Sequence, residues 1–241
     1  MKRWFLCLCI PVALLLIAFV VAHWGVNIML RRGIRAGAEN ALGQKITLDS
    51  AKLRWRTGIL VLNDFVLQNP AGYTLPNCLS IRHCDLDIYP MSLATDTVNI
   101  DDITIDGLQI VLEQDIIRNN IQEVLAGIKR IKAAHPTEHG KNLNIVHLRL
   151  TNTQLTIKLR LLPGVKPDVK NIALPPLEFD HPVGADGKPM RIGGLTTYLL
   201  EQLTRQAAVQ PHLDTSLRLL LKNIAAALAA EHGNSGPTST P

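Results

Sequence analysis

Between Ile100 and Glu113 the chain reads Ile-Asp-Asp-Ile-Thr-Ile-Asp-Gly-Leu-Gln-Ile-Val-Leu-Glu, and its apolar positions change parity at one point. Ile103 and Ile105 alternate with polar residues as the two faces of a strand do. Beyond Gly107 the alternation resumes on the other parity at Leu108, Ile110 and Leu112. A glycine at such a phase change reads as a bulge or a corner. The stretch from Ile145 to Lys158 repeats the grammar: Leu148 and Leu150 answer Ile103 and Ile105, Asn152 answers Gly107, and Leu155 and Ile157 answer Ile110 and Leu112. Asparagine tolerates the backbone that glycine adopts. A β unit repeated in this way has one apolar face that turns midway, and that face must be covered by protein or by lipid.

The chain has 241 residues. Without an apolar leader and a polar tail, about 200 remain to fold, which suits one domain with a modest core. A net charge of +5 is compatible with nucleic acid or an anionic membrane, but aromatic residues make up only 4% and no Lys/Arg block is interleaved with them. That pattern sets nucleic acid aside as a partner.

Trp4 to Leu30 is almost wholly apolar, with Lys2 and Arg3 ahead of it and Arg31, Arg32 and Arg35 behind. Trp4 and Trp24 would stand about 30 Å apart on a helix, the thickness of a bilayer core, placing a ring at each interface. A cleaved signal peptide is the alternative, with Val20 and Ala22 as a weak processing site, but the apolar run continues past it. Arginines behind the run are no fewer than the charges ahead of it, so charge alone leaves the topology open. Cys7 and Cys9 lie inside this run. Cys78 and Cys84, on one extended strand, would be roughly 20 Å apart, beyond disulfide reach without a bend.

From Gly33 the pattern predicts a short helix, a turn at Gly43 and a strand from Ile46. Gly58 to Gln68 is a strand either buried on both faces or bulged at Asn63 and Asp64. Asn69-Pro-Ala-Gly72 is a turn, and Leu79 to Ile88 is a further strand. Between Asn119 and Lys132 the period becomes helical, with Ile121, Val124, Leu125, Ile128 and Ile131 in one stripe and Asn119 or Asn120 as cap. Leu161 to Lys188 reads as loops around one edge strand near Ile172 to Phe179. Two amphipathic helices follow, Gly193 to Val209 and Leu213 to Ala230, separated by Pro211. The polar residues 231–241 read as a disordered tail.

His135-Pro-Thr-Glu-His139 matches the H-x-x-E-H pattern of zinc proteases, but Pro136 interrupts the helix that such a site requires, so His135 and Glu138 read as solvated loop residues. Asp101, Asp102 and Asp106, like Asp85 and Asp87, alternate with apolar residues and read as the wet face of a strand. No phosphate loop or nucleophile elbow occurs. The pattern therefore predicts no catalytic residue, no metal ligand and no cofactor.

One N-terminal anchor, then Phe65-Val-Leu-Gln-Asn-Pro-Ala-Gly-Tyr73, Met91-Ser-Leu93, the isoleucine-rich strand pair closed by Glu113 and the Asn119-Asn-Ile-Gln-Glu-Val-Leu125 helix start together resemble the AsmA-like family. The resemblance covers nearly the whole chain. It implies a bacterial inner-membrane protein, single-pass, with its folded domain in the periplasm. It also implies kinship with bridge-like lipid-transfer proteins, although this chain lacks their long succession of repeats.

The expected fold is α+β: a single N-terminal transmembrane helix, then a bent, mostly antiparallel sheet with amphipathic helices packed on it. Residues 1–32 are the expected anchor, 33–230 the β-rich domain and 231–241 the tail. Trp4, Trp24, Arg31 and Arg32 are the expected interface residues. Ile103, Ile105, Ile110, Leu112, Leu148, Leu150, Leu155 and Ile157 are candidates for a lipid-facing surface, and Leu217, Leu221 and Ile224 for its helical cover. Expected partners are the membrane, phospholipid and other envelope proteins. The rival expectation is an adaptor whose core is closed.

Overall fold

Strand propensity and parity place eight strands in one sheet, and the computed structural model of the chain describes residues 25, 27–54, 56–115, 118–134, 141–160, 168–184, 187–211 and 213–233. Helix α1 (27–42) ends at Gly43, whose φ of 68° reverses the chain into β1 (Ile46–Arg54). Then come β2 (Ile59–Gln68), β3 (Asn77–Ile88), a 3-10 turn at Pro90–Ala94 and the 19-residue β4 (Thr97–Asp115). Helix α2 (Asn120–Ala134) leads to β5 (Asn142–Thr151), β6 (Thr153–Arg160), β7 (Asp168–Leu174) and β8 (Leu177–Asp180). Helices α3 (Ile192–Ala208) and α4 (Thr215–Gly233) close the chain.

The protein is α+β, with a mixed, mostly antiparallel sheet. Its exception is central: β4 pairs in parallel with β5 along its first half and with β6 along its second, because α2 carries the chain back across the sheet between them. The positions that answer one another in the two stretches are direct cross-strand partners. Ile103 lies opposite Leu148, Ile105 opposite Leu150, Ile110 opposite Leu155 and Leu112 opposite Ile157.

The parity change is a seam that crosses the sheet. Buried or half-buried Ala51, Leu62, Cys84, Ile105 and Leu150 form one cross-strand row. Leu48, Phe65, Ile81 and Leu108 form the next row inward of the bend. In each strand two residues, not one, separate those rows, and the extra residue keeps the apolar side chains on the same face. Asp64, Gly107 and Asn152 supply it with left-handed backbone, at φ 51°, 71° and 51°. Asp64 turns β2 at the expected place, but the register against β1 and β3 is unbroken there; the irregularity of β2 lies between Leu67 and Gln68. A β-branched residue is disfavoured at such a dihedral, so Asn152→Val is expected to lower stability by about 1–2 kcal/mol, while Asn152→Gly should retain most of it; urea unfolding of the two variants checks the difference.

Three expectations change and one alternative is settled. The segment read as loops around one edge strand contains two strands, β7 and β8, interrupted by Pro175-Pro176 at the level of the seam. Prolines there remove N–H groups from an exposed edge and blunt it against unwanted pairing. Helix α4 runs to Gly233, so residues 231–233 are helical rather than tail. The folded domain begins earlier than residue 33: Leu30, Ile34 and Ala38 of α1 pack on the core, and Arg31 Nε donates to the Leu48 carbonyl at 2.6 Å, covering the β1 edge beside the seam. Cap assignment is also settled, since Asn119 Oδ1 accepts from Gln122 N at 2.8 Å. Trp4, Trp24, most of the expected anchor, the His135 to His139 motif and residues 234–241 lie outside the described residues. Among the described residues no helix is long and apolar enough to cross a membrane.

Candidate functional site

The apolar ladder shared by β4 and β5/β6 runs through the seam without interruption. Ile103, Ile105, Ile110, Leu112, Leu148, Leu150, Leu155 and Ile157 are all at most 5% exposed. They present no open apolar face; they are core, because three helices lie over them. Ile121 and Val124 of α2, Leu195, Leu200 and Leu203 of α3, and Leu217, Leu221, Ile224 and Leu228 of α4 join them in one buried cluster. Leu217, Leu221 and Ile224, the candidates for a helical cover, are buried in that cluster. Gly193 at the start of α3 sits against Ile128 of α2, and Tyr198 of α3 meets Phe179 of β8 edge-to-face at 5.6 Å. Arg32, by contrast, is exposed.

A polar cluster closes one end of the ladder. The Glu113 side chain, 1% exposed, accepts from Thr74 N at 3.1 Å, from Leu75 N at 3.0 Å and from the Thr74 hydroxyl at 2.6 Å. Lys158 Nζ lies 3.8 Å from the carboxylate and donates to the Thr74 hydroxyl. Burial alone pushes the Glu113 carboxyl up, but the Thr74 and Leu75 donors and the Lys158 charge outweigh it and hold the group below its ordinary value. Beside it, fully buried Asn120 accepts from Glu113 N at 2.9 Å and from Ile121 N at 3.0 Å. Its amide donates to Val111 O and to Asn69 Oδ1, each at 2.7 Å. Asn69 in turn donates to Leu75 O at 2.7 Å. Turn, strand end and helix start are therefore tied by one set of hydrogen bonds.

Sequence reasoning saw Asn69, Glu113 and Asn120 separately and missed their convergence. The available signals were a carboxylate following an apolar run and two adjacent asparagines where one would serve as cap.

On the opposite face of the sheet the seam carries a polar row. Asn63 donates to Ser50 at 2.9 Å, His83 Nδ1 lies 2.7 Å from Asn63 Oδ1, and His83 Nε2 lies 3.2 Å from Asp85. Asp106 accepts from Asn152, Arg82 and Thr151, and those bonds hold its carboxyl below the usual range. Asp101 and Asp87 are exposed on this face and Asp102 is half-exposed, the wet side of the strands. Among the described residues no group of His, Cys, Asp or Glu is placed to hold a metal ion.

Two depressions in the described surface are lined mostly by polar and charged residues. One, of about 310 Å³, is lined by Asp102, His147, Leu148, Arg149, Glu178, Phe179 and Asp180. Its polar side chains are paired across strands, His147 Nδ1 lying 2.8 Å from Asp180 and Arg149 donating to Glu178 at 2.9 Å. The other, of about 420 Å³, lies at Arg35, Glu39 and Gln44 beside the α1–β1 turn. Neither is built to take an acyl chain, so the apolar capacity of the protein lies in the helix-covered ladder.

No family model matches the chain, and no curated protein matches it.

Proposed function

We propose that the chain is a membrane-tethered, non-enzymatic protein of the bacterial cell envelope that contributes to lipid handling or outer-membrane homeostasis. In this reading it is a short AsmA-like protein held in the inner membrane by the part of the Trp4 to Leu30 run that precedes α1, with the sheet and helices in the periplasm. The observation that carries the reading is the apolar ladder, four matched pairs continuous through the bend, whose cover includes a pair of helices at the C-terminal end. In this reading the cover shuts the ladder, and lipid enters when it moves. Asn69, Glu113 and Asn120, residues on which the family resemblance rests, also meet in one cluster, which supports it.

The second reading is an adaptor that binds other envelope proteins through its loops and helices. It is favoured by one observation, the burial of all eight ladder residues. The readings separate on lipid. The full chain is expected to resist alkaline extraction from membranes, to yield phospholipid to solvent extraction and mass spectrometry after purification, and to crosslink to lipid from a photoreactive residue at Ile110 or Leu155. Release by alkali would sink the anchor. Retention without lipid or crosslink would leave the adaptor.

A further inference from the structure

One end of the sheet holds two large apolar side chains outward on a hydrogen-bonded turn. The Pro90–Ala94 turn is pinned from within: buried Ser92 donates to Tyr89 O at 2.6 Å and accepts from Asn99 N at 3.0 Å, while Thr95 donates to Ser92 O at 2.9 Å. Lys141 reaches across to the carbonyls of Leu93 and Thr95. Yet Tyr89 and Met91 on this turn are 62% and 70% exposed. Their outward placement therefore owes nothing to a floppy loop. The β1–β2 turn shares the same end, because Ile88 N donates to Gly58 O at 3.1 Å, and it brings exposed Arg54 and Arg56 beside them.

The direction of α1 says what faces this end. Its C-terminus joins the start of β1, and Arg31, near its other end, reaches Leu48. The helix thus runs back along β1, over about 22 Å from residue 42 to residue 27, against a strand length of about 26 Å. Its N-terminus, where Ile28 and Met29 are 51% and 74% exposed, therefore points toward the end that carries Tyr89 and Met91. The rest of the apolar run that begins at Trp4 precedes it in the sequence.

We propose that the end of the sheet formed by Tyr89, Met91 and the β1–β2 turn rests on the bilayer surface in which the N-terminal segment is anchored, with Tyr89 and Met91 inserted at the headgroup boundary. An aromatic residue with a polar tip and a flexible thioether are suited to that boundary. Exposed charges of both signs share this end, Arg54, Arg56 and Lys141 with Asp87 and Asp96, so the insertion of Tyr89 and Met91 carries the contact and salt should not release it. The inference rests on the anchor reading above.

The test uses the full chain in vesicles of phosphatidylethanolamine and phosphatidylglycerol, with a photoreactive residue at position 91, at position 89, or at Ala71, which is exposed on the β2–β3 turn at the opposite end. Lipid adducts are expected severalfold more often from 91 and 89 than from 71, unchanged in high salt, with the thermal transition of each variant confirming the fold. Equal yields, or an excess from position 71, in protein that still resists alkaline extraction would overturn the docking while leaving the anchor intact. Extraction by alkali would overturn both.

Discussion

Replacing Asn120 with alanine is expected to lower the unfolding free energy by about 3 kcal/mol, the scale of leaving two or three buried polar groups without partners. The Asn120 side chain serves Glu113 N, Ile121 N, Val111 O and Asn69, and at 0% exposure no water replaces it readily. Equilibrium urea unfolding measures the loss; an Asn120→Ala variant within about 0.5 kcal/mol of the parent would show that the cluster is not a support of the fold.

The neighbouring Glu113 gives this cluster a pH signature. Its folded pKa lies below the ordinary 4.5, so the stabilisation it supplies is complete above the unfolded value and is lost as pH falls through the folded one. Glu113→Gln should therefore destabilise at about pH 7 and differ much less from the parent at about pH 3, flattening the acid limb of the stability curve.

The second large effect is expected at the helical cover. Leu221 is 0% exposed within the cluster that joins α4 to the sheet, and Leu221→Ala should cost about 2–5 kcal/mol, the transfer term plus the cavity left behind. Leu150→Ala, equally buried on β5, provides the comparison. Matching losses in urea unfolding would show that the cover belongs to the same cooperative unit as the sheet. A much smaller loss at Leu221 would mean that α4 detaches before the sheet unfolds, the behaviour that an opening cover requires.

Much of this architecture is legible in the residues. Strand parity located the corner at Gly107 and its counterpart at Asn152, and it also aligned Ile103 with Leu148 and Ile110 with Leu155 across what proved to be a parallel pair. Helical period placed Ile121 and Val124 of α2 and Leu217, Leu221 and Ile224 of α4 on buried faces. The same parity change is present in β1, where Leu48 and Ala51 bracket Asp49 and Ser50, but a nine-residue strand without glycine carries it too faintly to read alone. The edge strand expected near Ile172 to Phe179 spans Pro175-Pro176, which have no N–H to give a ladder; only the neighbouring lane reveals that it is two strands, β7 and β8, parted there.

What the sequence determined by itself is local and periodic: which positions are apolar on one face, where that face changes phase, and where helix replaces strand. These follow from side-chain alternation, which each segment carries within itself. Tertiary structure decided whether the apolar ladder is open or shut, since identical isoleucines and leucines serve a lipid groove or a core and only the placement of α2, α3 and α4 distinguishes them. It also decided the meeting of Asn69, Glu113 and Asn120. Those residues stand up to 51 positions apart, and a hydrogen bond between them depends on chain geometry that no single segment encodes.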